Sequence, residues 1–420
     1  MSFSGEIQRQ QGSGKAILLD THISGSRLDK MSRVLNYDFP PIGPYRLHGA
    51  LHVENGVISL GPLTAEVGSS SLEGSVRITV ETDEAGKIAL PVPVTIDLKS
   101  PILQLDDFHL TSWQRSAAAS QTEKEVPTES PEKPEWAYAD LLGPEFASKV
   151  ETHLEVAVNE VVSGTDRLGS GTLKFNNVGG KNTIESMRIE VPGGYVDMDG
   201  FYQPLHDGVA TSFTLNMKQF DYGVLVRRFS PQSGVKGIMN VSVDLSATAP
   251  NTSQLSEHLS GNVRLGVVPE DMASGILDIW AVNILAAALP ALSKGEPSKI
   301  NCLVTDFALE DGLMTPRAFL LDTTKMRVQG TGEIDLKNQS INFKMRPTPK
   351  SPQFFSLATP INITGTIRDF HIGVSAGSVI GTAFRFVSSV ITVPLQKILT
   401  NNMEPDGAAA CKASMAWVLE

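Results

Sequence analysis

The chain has 420 residues, 41% of them hydrophobic and 19% charged, and carries a net charge of −11 from 46 acidic and 35 basic residues. A chain of this length exceeds one ordinary compact core, so several domains or one elongated architecture are expected, and the composition excludes global disorder. The acidic balance has no basic block, which argues against nucleic acid as a partner, since phosphate binding needs clustered Lys and Arg.

The opening residues, MSFSGEIQRQQGSGKAILLD, contain no apolar core and read as neither a signal peptide nor a membrane span. Either the protein is cytoplasmic, or the reading frame lacks an N-terminal piece. GSGK (12–15) has part of a phosphate-loop outline, but the full motif needs Gly in place of Arg9 and Ser or Thr in place of Ala16. It reads as a turn.

From residue 45 the dominant signal is period two. YRLHGALHV places Tyr45, Leu47, Gly49, Leu51 and Val53 on one face, and SLEGSVRITV does so with Leu72, Gly74, Val76, Ile78 and Val80. His48 and His52 then fall on the wet face. A zinc protease would need Glu where Gly49 stands, and a helix, so both read as surface histidines. The pair Asp106-Asp107 has no apolar pocket or basic partner visible in sequence.

Residues 114–135, QRSAAASQTEKEVPTESPEKPE, have almost nothing to bury and read as a flexible insertion or linker. Beyond it the alternation resumes at Leu173 and Phe175, at Val235 to Leu245, at Val263 and Leu265, at Val328 to Leu336, and at Ile341, Phe343 and Met345. Such alternation means strands with one apolar and one wet face. With no long helical crossovers, the pairing is expected to be antiparallel. Turn signals such as ENG (54–56), NNVGG (176–180) and KNQS (337–340) separate the strands. Roughly two dozen strands are expected, and open sheets beyond about ten must curl, close or split.

A sub-pattern of Gly, any residue, apolar, any residue, apolar starts at Gly49, Gly74, Gly171, Gly237, Gly261 and Gly332, and partially at Gly365. Glycine on the apolar face leaves room for another backbone, a bend or a ligand. Bends in a curved sheet are the plainer account.

Two segments break the period. PEDMASGILDIWAVNILAAALPAL (269–292) opens with Pro269, Glu270 and Asp271, a good helix start, and is apolar almost all round. Asp278, at a cost of about 2.5–3.5 kcal/mol on insertion scales, makes it a marginal membrane span. A helix buried against the sheet is expected instead. After Ser375, Ile380, Phe384, Val387, Ile391 and Leu395 recur at helical spacing opposite a polar face, so an amphipathic helix with Ser375 as N-cap is expected.

Gly373-Val374-Ser375-Ala376-Gly377 has the spacing of a hydrolase nucleophile elbow. That fold needs an acid and a histidine after the serine, yet His371 is the last histidine of the chain. The parallel sheet with helical crossovers is also missing, so an N-cap between glycines accounts for the motif, and no enzyme is expected. Cys302 and Cys411 are far apart and in no metal-ligand spacing, and sequence leaves open whether they pair.

Several stretches, in order, resemble the AsmA-like family, envelope proteins of double-membraned bacteria related to TamB and to the repeating-β-groove lipid-transfer proteins. One is residues 28–80, with the entry PPIGPYRLHG. A stronger one is residues 300–352, with a Cys-containing strand, LLDT, GTGEIDL and a basic, Pro-rich RPTPKSP. PINITGTIRDFHI and the small-residue helix follow in family order. The resemblance covers nearly the whole chain from about residue 15. Members usually begin with a transmembrane anchor and a longer N-terminal groove, so the chain is expected to correspond to the family's C-terminal portion.

The resemblance implies a mainly β protein whose long, curved antiparallel sheet forms an open, taco-like hydrophobic groove, with one or two helices near the C-terminal end. Segments 1–113 and 137–374 would carry the groove, 114–136 the linker, and 375–420 the amphipathic helix and tail. At about 4.8 Å per strand, some twenty strands would give a trough of about 100 Å. The groove residues implied are Leu47, Leu51, Val53, Val76, Ile78, Val80, Leu173, Phe175, Val263, Leu265, Ile334, Leu336 and Phe343. Ile380, Phe384, Val387, Ile391 and Leu395 would plug the trough or rest on a bilayer. Phospholipids, a membrane surface and inner- or outer-membrane proteins are the partners implied, in the periplasm at the inner membrane, with no cofactor and no metal. Two rival readings remain: an assembly scaffold for outer-membrane proteins acting through sheet edges, and an outer-membrane barrel, which the segment 269–292 and the 6% aromatic content oppose.

Overall fold

The structure, a computed structural model, describes residues 17–31, 42–108, 148–229, 234–270, 300–324, 326–350, 360–367 and 369–374, together with residues 232, 407, 411, 412, 415, 417 and 418. It is mainly β, an open sheet and not a closed barrel, with eighteen strands among the described residues. The chain divides into two compact units.

The first unit, residues 1–192 and 197–204, contains β1 (Ile17–Gly25), β2 (Tyr45–Glu54), β3 (Val57–Val67), β4 (Ser70–Thr79), β5 (Val92–Gln104), β6 (Val150–Ser163), β7 (Asp166–Val178), β8 (Lys181–Val191) and most of β9 (Gly194–Leu205). The second, residues 193–196 and 205–420, contains β10 (Gly208–Asp221), the short helix α1 (Gly223–Phe229), β11 (Lys236–Ala249), β12 (Ser260–Glu270), β13 (Ile300–Glu310), β14 (Leu313–Thr323), β15 (Met326–Asp335), β16 (Ser340–Pro349), β17 (Ile361–Thr366) and β18 (Phe370–Val374). From β1 to β8, and again from β10 to β18, each strand pairs with the next in sequence.

The hairpins form where the turn residues demand it. Asn55-Gly56 and Asp311-Gly312 both take φ near +50° and +80°, the pair of left-handed conformations of a two-residue turn whose twist matches the strands it joins. The acidic pair Asp106-Asp107, in a 3₁₀ turn after β5, is structural. The Asp107 carboxylate accepts from the backbone N–H groups of Ser69 and Ser70 at 2.8 and 2.9 Å, and from both serine hydroxyls. Asp106 Oδ2 accepts from the N–H of Gly164 at 3.1 Å.

Two expectations are corrected. The β5–β6 pair is parallel, with Val94 opposite Thr152 and Leu98 opposite Val156. A parallel neighbour needs a crossover of a dozen or more residues, and the segment between β5 and β6, which carries the Pro/Glu-rich stretch, is long enough to supply it. Pro269 and Glu270 do not start a helix; they end β12, opposite Gly237 and Lys236. The ladder runs through them because a proline costs little at a strand end and the glycine facing it has no side chain. Eighteen strands lie among the described residues. The remainder of the helix expected over 269–292, and the amphipathic helix after Ser375 with Ile380, Phe384, Val387, Ile391 and Leu395, lie outside the described residues, as do GSGK (12–15) and 114–136.

Three of the recurrent glycines make room for backbone. A Cβ on Gly74 would stand 1.9 Å from the carbonyl oxygen of Asp97, one on Gly261 1.9 Å from that of Asp244, and one on Gly332 2.2 Å from that of Asn342. At each of the three, a side chain would run into the backbone of the neighbouring strand. Register shifts between Leu60/Leu63 and Ser71/Glu73, on either side of Gly74, bend the sheet there.

The core of the second unit is a cluster of Leu321, Met326, Val328, Ile341, Phe343, Met345, Ile361 and Ile363, all buried. At the other end of that unit Tyr222 packs on Val226, and its hydroxyl donates to the carbonyl of Lys236 at 3.2 Å. Burial, with the charges of Asp221 and Glu270, pushes its phenol from 10.0 up to about 12.

Gly74→Ala and Gly261→Ala are expected to lose about 1–3 kcal/mol of stability by chemical unfolding, the usual cost of forcing atoms into packed structure. Gly373→Ala, with nothing within 4 Å of the added carbon, should change stability by less than about 0.5 kcal/mol. For Tyr222 the folded state holds the proton more tightly than the unfolded chain. Its contribution is whole below pH 10.0 and is lost as the pH rises through about 12. Alkaline unfolding should therefore steepen over that window in the native chain and less so in Tyr222→Phe.

Candidate functional site: an apolar sheet face and a strapped polar face

In the first unit, cross-strand register turns the alternation into continuous rows. One runs Leu19, Leu51, Leu60, Val76, Ile96, Leu154, Phe175, Ile184, one residue from each of eight strands, every step a direct register partner. A second runs Ile17, Val53, Ile58, Ile78, Val94. A third runs Gly49, Leu63, Gly74, Leu98, Val156, Leu173, Met187. Leu47 lies between Ile23 and Ala65 at the margin. Side chains opposite one another share a face, so these rows form one apolar floor about 34 Å across, seven spacings of about 4.8 Å.

The first row is half-buried throughout, not covered as a core would be. The opposite face carries Arg46, Glu73, Arg77, Asp97, Lys99, Glu155 and Lys174, all exposed. Its ion pairs, such as Lys174–Glu155 at 3.0 Å and Arg46–Glu66 at 3.2 Å, contribute little stability in water but keep that face wet. The Glu155 contact and charge hold the Lys174 ammonium above its usual pKa.

Of the residues singled out in sequence, Leu47, Leu51, Val53, Val76, Ile78, Leu173 and Phe175 are thus brought together on one face of the first unit. Val80 falls just past the end of β4. In the second unit Val263 lies between Val243 and Phe307, and Leu265 between Val241 and Thr305. Ile334 pairs with Ile341 and packs on the buried cluster. Leu336 follows the end of β15. Phe343 is only 6% exposed and meets Phe319 edge-on at 5.3 Å, so there the face is closed by its own side chains. The sequence reading passed over Leu60, Leu63, Ile96, Leu98, Leu154 and Val156, although the same alternation marks PVPVTIDL and HLEVAV.

The other unforeseen feature lies on the polar-side register positions of β11 to β14. Asn240, Gly266, Val304 and Leu320 are successive partners across four strands, and the C-terminal segment crosses them. Cys411 is disulfide-bonded to Cys302, which settles the pairing that sequence left open. Asn240 Nδ2 donates to the carbonyl of Met415 at 2.8 Å. Gly266 has no side chain, and a Cβ there would meet Met415 Sδ at 2.7 Å. Trp417 and Val418 pack with Val304 and Leu320, and the Arg264 guanidinium lies 5.2 Å from the Trp417 ring, within cation–π range. Burial raises the pKa of Asp306 beside them, while the charges of Arg264 and Arg317 lower it. Lys350 Nζ and Asp322 form an ion pair at 2.6 Å, 3% and 0% exposed, next to Gly407.

The AsmA family profile matches residues 91–319, more than half of the chain. The chain belongs to the AsmA family. It is 22% identical over 144 residues to the AsmA family protein YhjG of Escherichia coli (strain K12), a match covering 34% of this chain and 21% of that protein. The chain therefore aligns with about a fifth of this relative's length. No solved structure matches it. AsmA proteins are a cell-envelope family, and no helix among the described residues is long and apolar enough to cross a membrane.

The strap can be tested through its disulfide, which closes a loop of 109 residues. Cys302→Ser or Cys411→Ser should cost about 2–4 kcal/mol in chemical unfolding. In both variants Trp417 fluorescence should shift to the red as the tail lifts from Arg264 and Val304.

Proposed function

We propose that this AsmA-family chain binds phospholipids by their acyl chains along its apolar sheet face and lets them move along it, between inner and outer membranes, without catalysis. The observation that carries this reading is the unbroken row from Leu19 to Ile184, half-buried and crossing eight strands. Each methylene removed from water is worth about 0.8 kcal/mol. A floor with no polar step lets an acyl chain pass from row to row without being rehydrated, whereas one buried charge would raise a barrier of several kcal/mol. Polar headgroups would stay at the rim, in water.

The disulfide supports a periplasmic setting, since such bonds persist in oxidising compartments. Association with the inner membrane, and a part in outer-membrane integrity, follow from family membership in this proposal. The assembly-scaffold reading draws on one observation, the start of β1, whose Ile17 and Leu18 are 45% and 41% exposed. A strand of another protein could extend the sheet there.

Mass spectrometry of lipids carried by the purified chain, prepared without prior detergent extraction, tests the proposal. Several phospholipids per chain are expected, with most lost when Val76 and Ile78 become Asp, while circular dichroism stays unchanged. A folded, lipid-free native chain would overturn the reading and favour the scaffold.

A further inference from the structure

On the wet side of the first two strands, three metal-ligating side chains converge. His22 of β1 and His48 of β2 are direct register partners. Their rings stack at 4.0 Å between centroids and 16° between planes. Asp20, two positions from His22 and therefore on the same face, places Oδ1 3.0 Å from His48 Nε2. One ligand atom from each of the three lies within 4.8 Å of those of the other two. All three residues are exposed, and the cross-strand partner of Asp20 is Ala50, so no long side chain competes for the space beside the carboxylate. The nearest cation along β2, Arg46, is turned to Glu66 at 3.2 Å.

We infer that Asp20, His22 and His48 form a binding site for a divalent transition-metal ion, zinc in the first instance. Two imidazoles and a carboxylate are the ligand set of open zinc sites, with bonds of about 2.0–2.2 Å and a fourth position left to water. A tetrahedral ion with such bonds sets its ligands about 3.3 Å apart, close to the present Asp20–His48 separation. Binding needs only that the stacked rings splay so that one nitrogen of each turns to the shared point. Imidazole and carboxylate donors favour zinc, nickel and copper over calcium or magnesium, with copper the tightest. Because the ligands come from two paired strands, an ion would tie β1 to β2. Nothing in this inference depends on the lipid proposal, since the site lies on the opposite face of the sheet.

Isothermal titration of the purified full chain with zinc, in chelator-free buffer near neutral pH, tests it. One saturable site is expected, weakened at least about tenfold in His22→Gln and in His48→Gln, and unchanged in His206→Gln. Hydrogen exchange supplies an independent readout: zinc should slow the amides of residues 17–25 in the native chain and not in His48→Gln. Absence of saturable zinc binding would overturn the inference. So would undiminished affinity in the double variant, or unchanged exchange in residues 17–25 at saturating zinc.

Discussion

An antiparallel ladder fixes the face of every residue it contains. Once Leu51 stands opposite Leu60, and Leu60 opposite Val76, the residues two positions away on each strand are committed to the same side and those one position away to the other, except across a bulge such as that between Leu60 and Leu63. A slip of one residue in β4 or β5 would bring Glu73 or Asp97 onto the apolar floor. That penalty, repeated at each strand, makes a long open sheet specify its own register without a second layer to pack against. The devices along it serve the same constraint. Tight turns at Asn55-Gly56 and Asp311-Gly312 pin hairpin register, and the Asp107 carboxylate ties the β3–β4 turn to the end of β5.

The two units satisfy this constraint in different ways. In the first, the apolar face is half-buried and its opposite face is solvated. In the second, part of that face closes into a packed cluster around Phe343 and Met345, and the reverse side of β11 to β14 is covered by the C-terminal strap. There the strand pattern changes accordingly: Cys302, Val304 and Leu320 are apolar at positions where an uncovered sheet would carry charge. The buried Lys350–Asp322 pair, beside the strap, is a weak source of net stability, because desolvation offsets most of its attraction.

Much of this was legible in sequence. The alternation at Leu47 to Val53, Leu72 to Val80 and Gly171 to Phe175 marks strands and faces by a period that needs no partner to be read. The glycine pattern marked the close approaches, although only the ladder showed that Gly74 and Gly261 yield space to a neighbouring carbonyl and not to a ligand. The parallel β5–β6 pair was hidden because strand direction depends on the connection, not on the strands, and alternation within a strand reads the same in either direction. Pro269 misled because a good helix-start residue is equally tolerated at a strand end opposite glycine.

The sequence by itself determined that this chain is a β protein with one apolar and one wet face, since period two is a local property of side-chain direction. Tertiary structure alone decided which apolar residues line up into unbroken rows, that Cys302 meets Cys411, and that His22 meets His48. Those pairings join positions 109, 26 and more residues apart or on separate strands, and contacts at such range are set by register and packing, which no local pattern encodes.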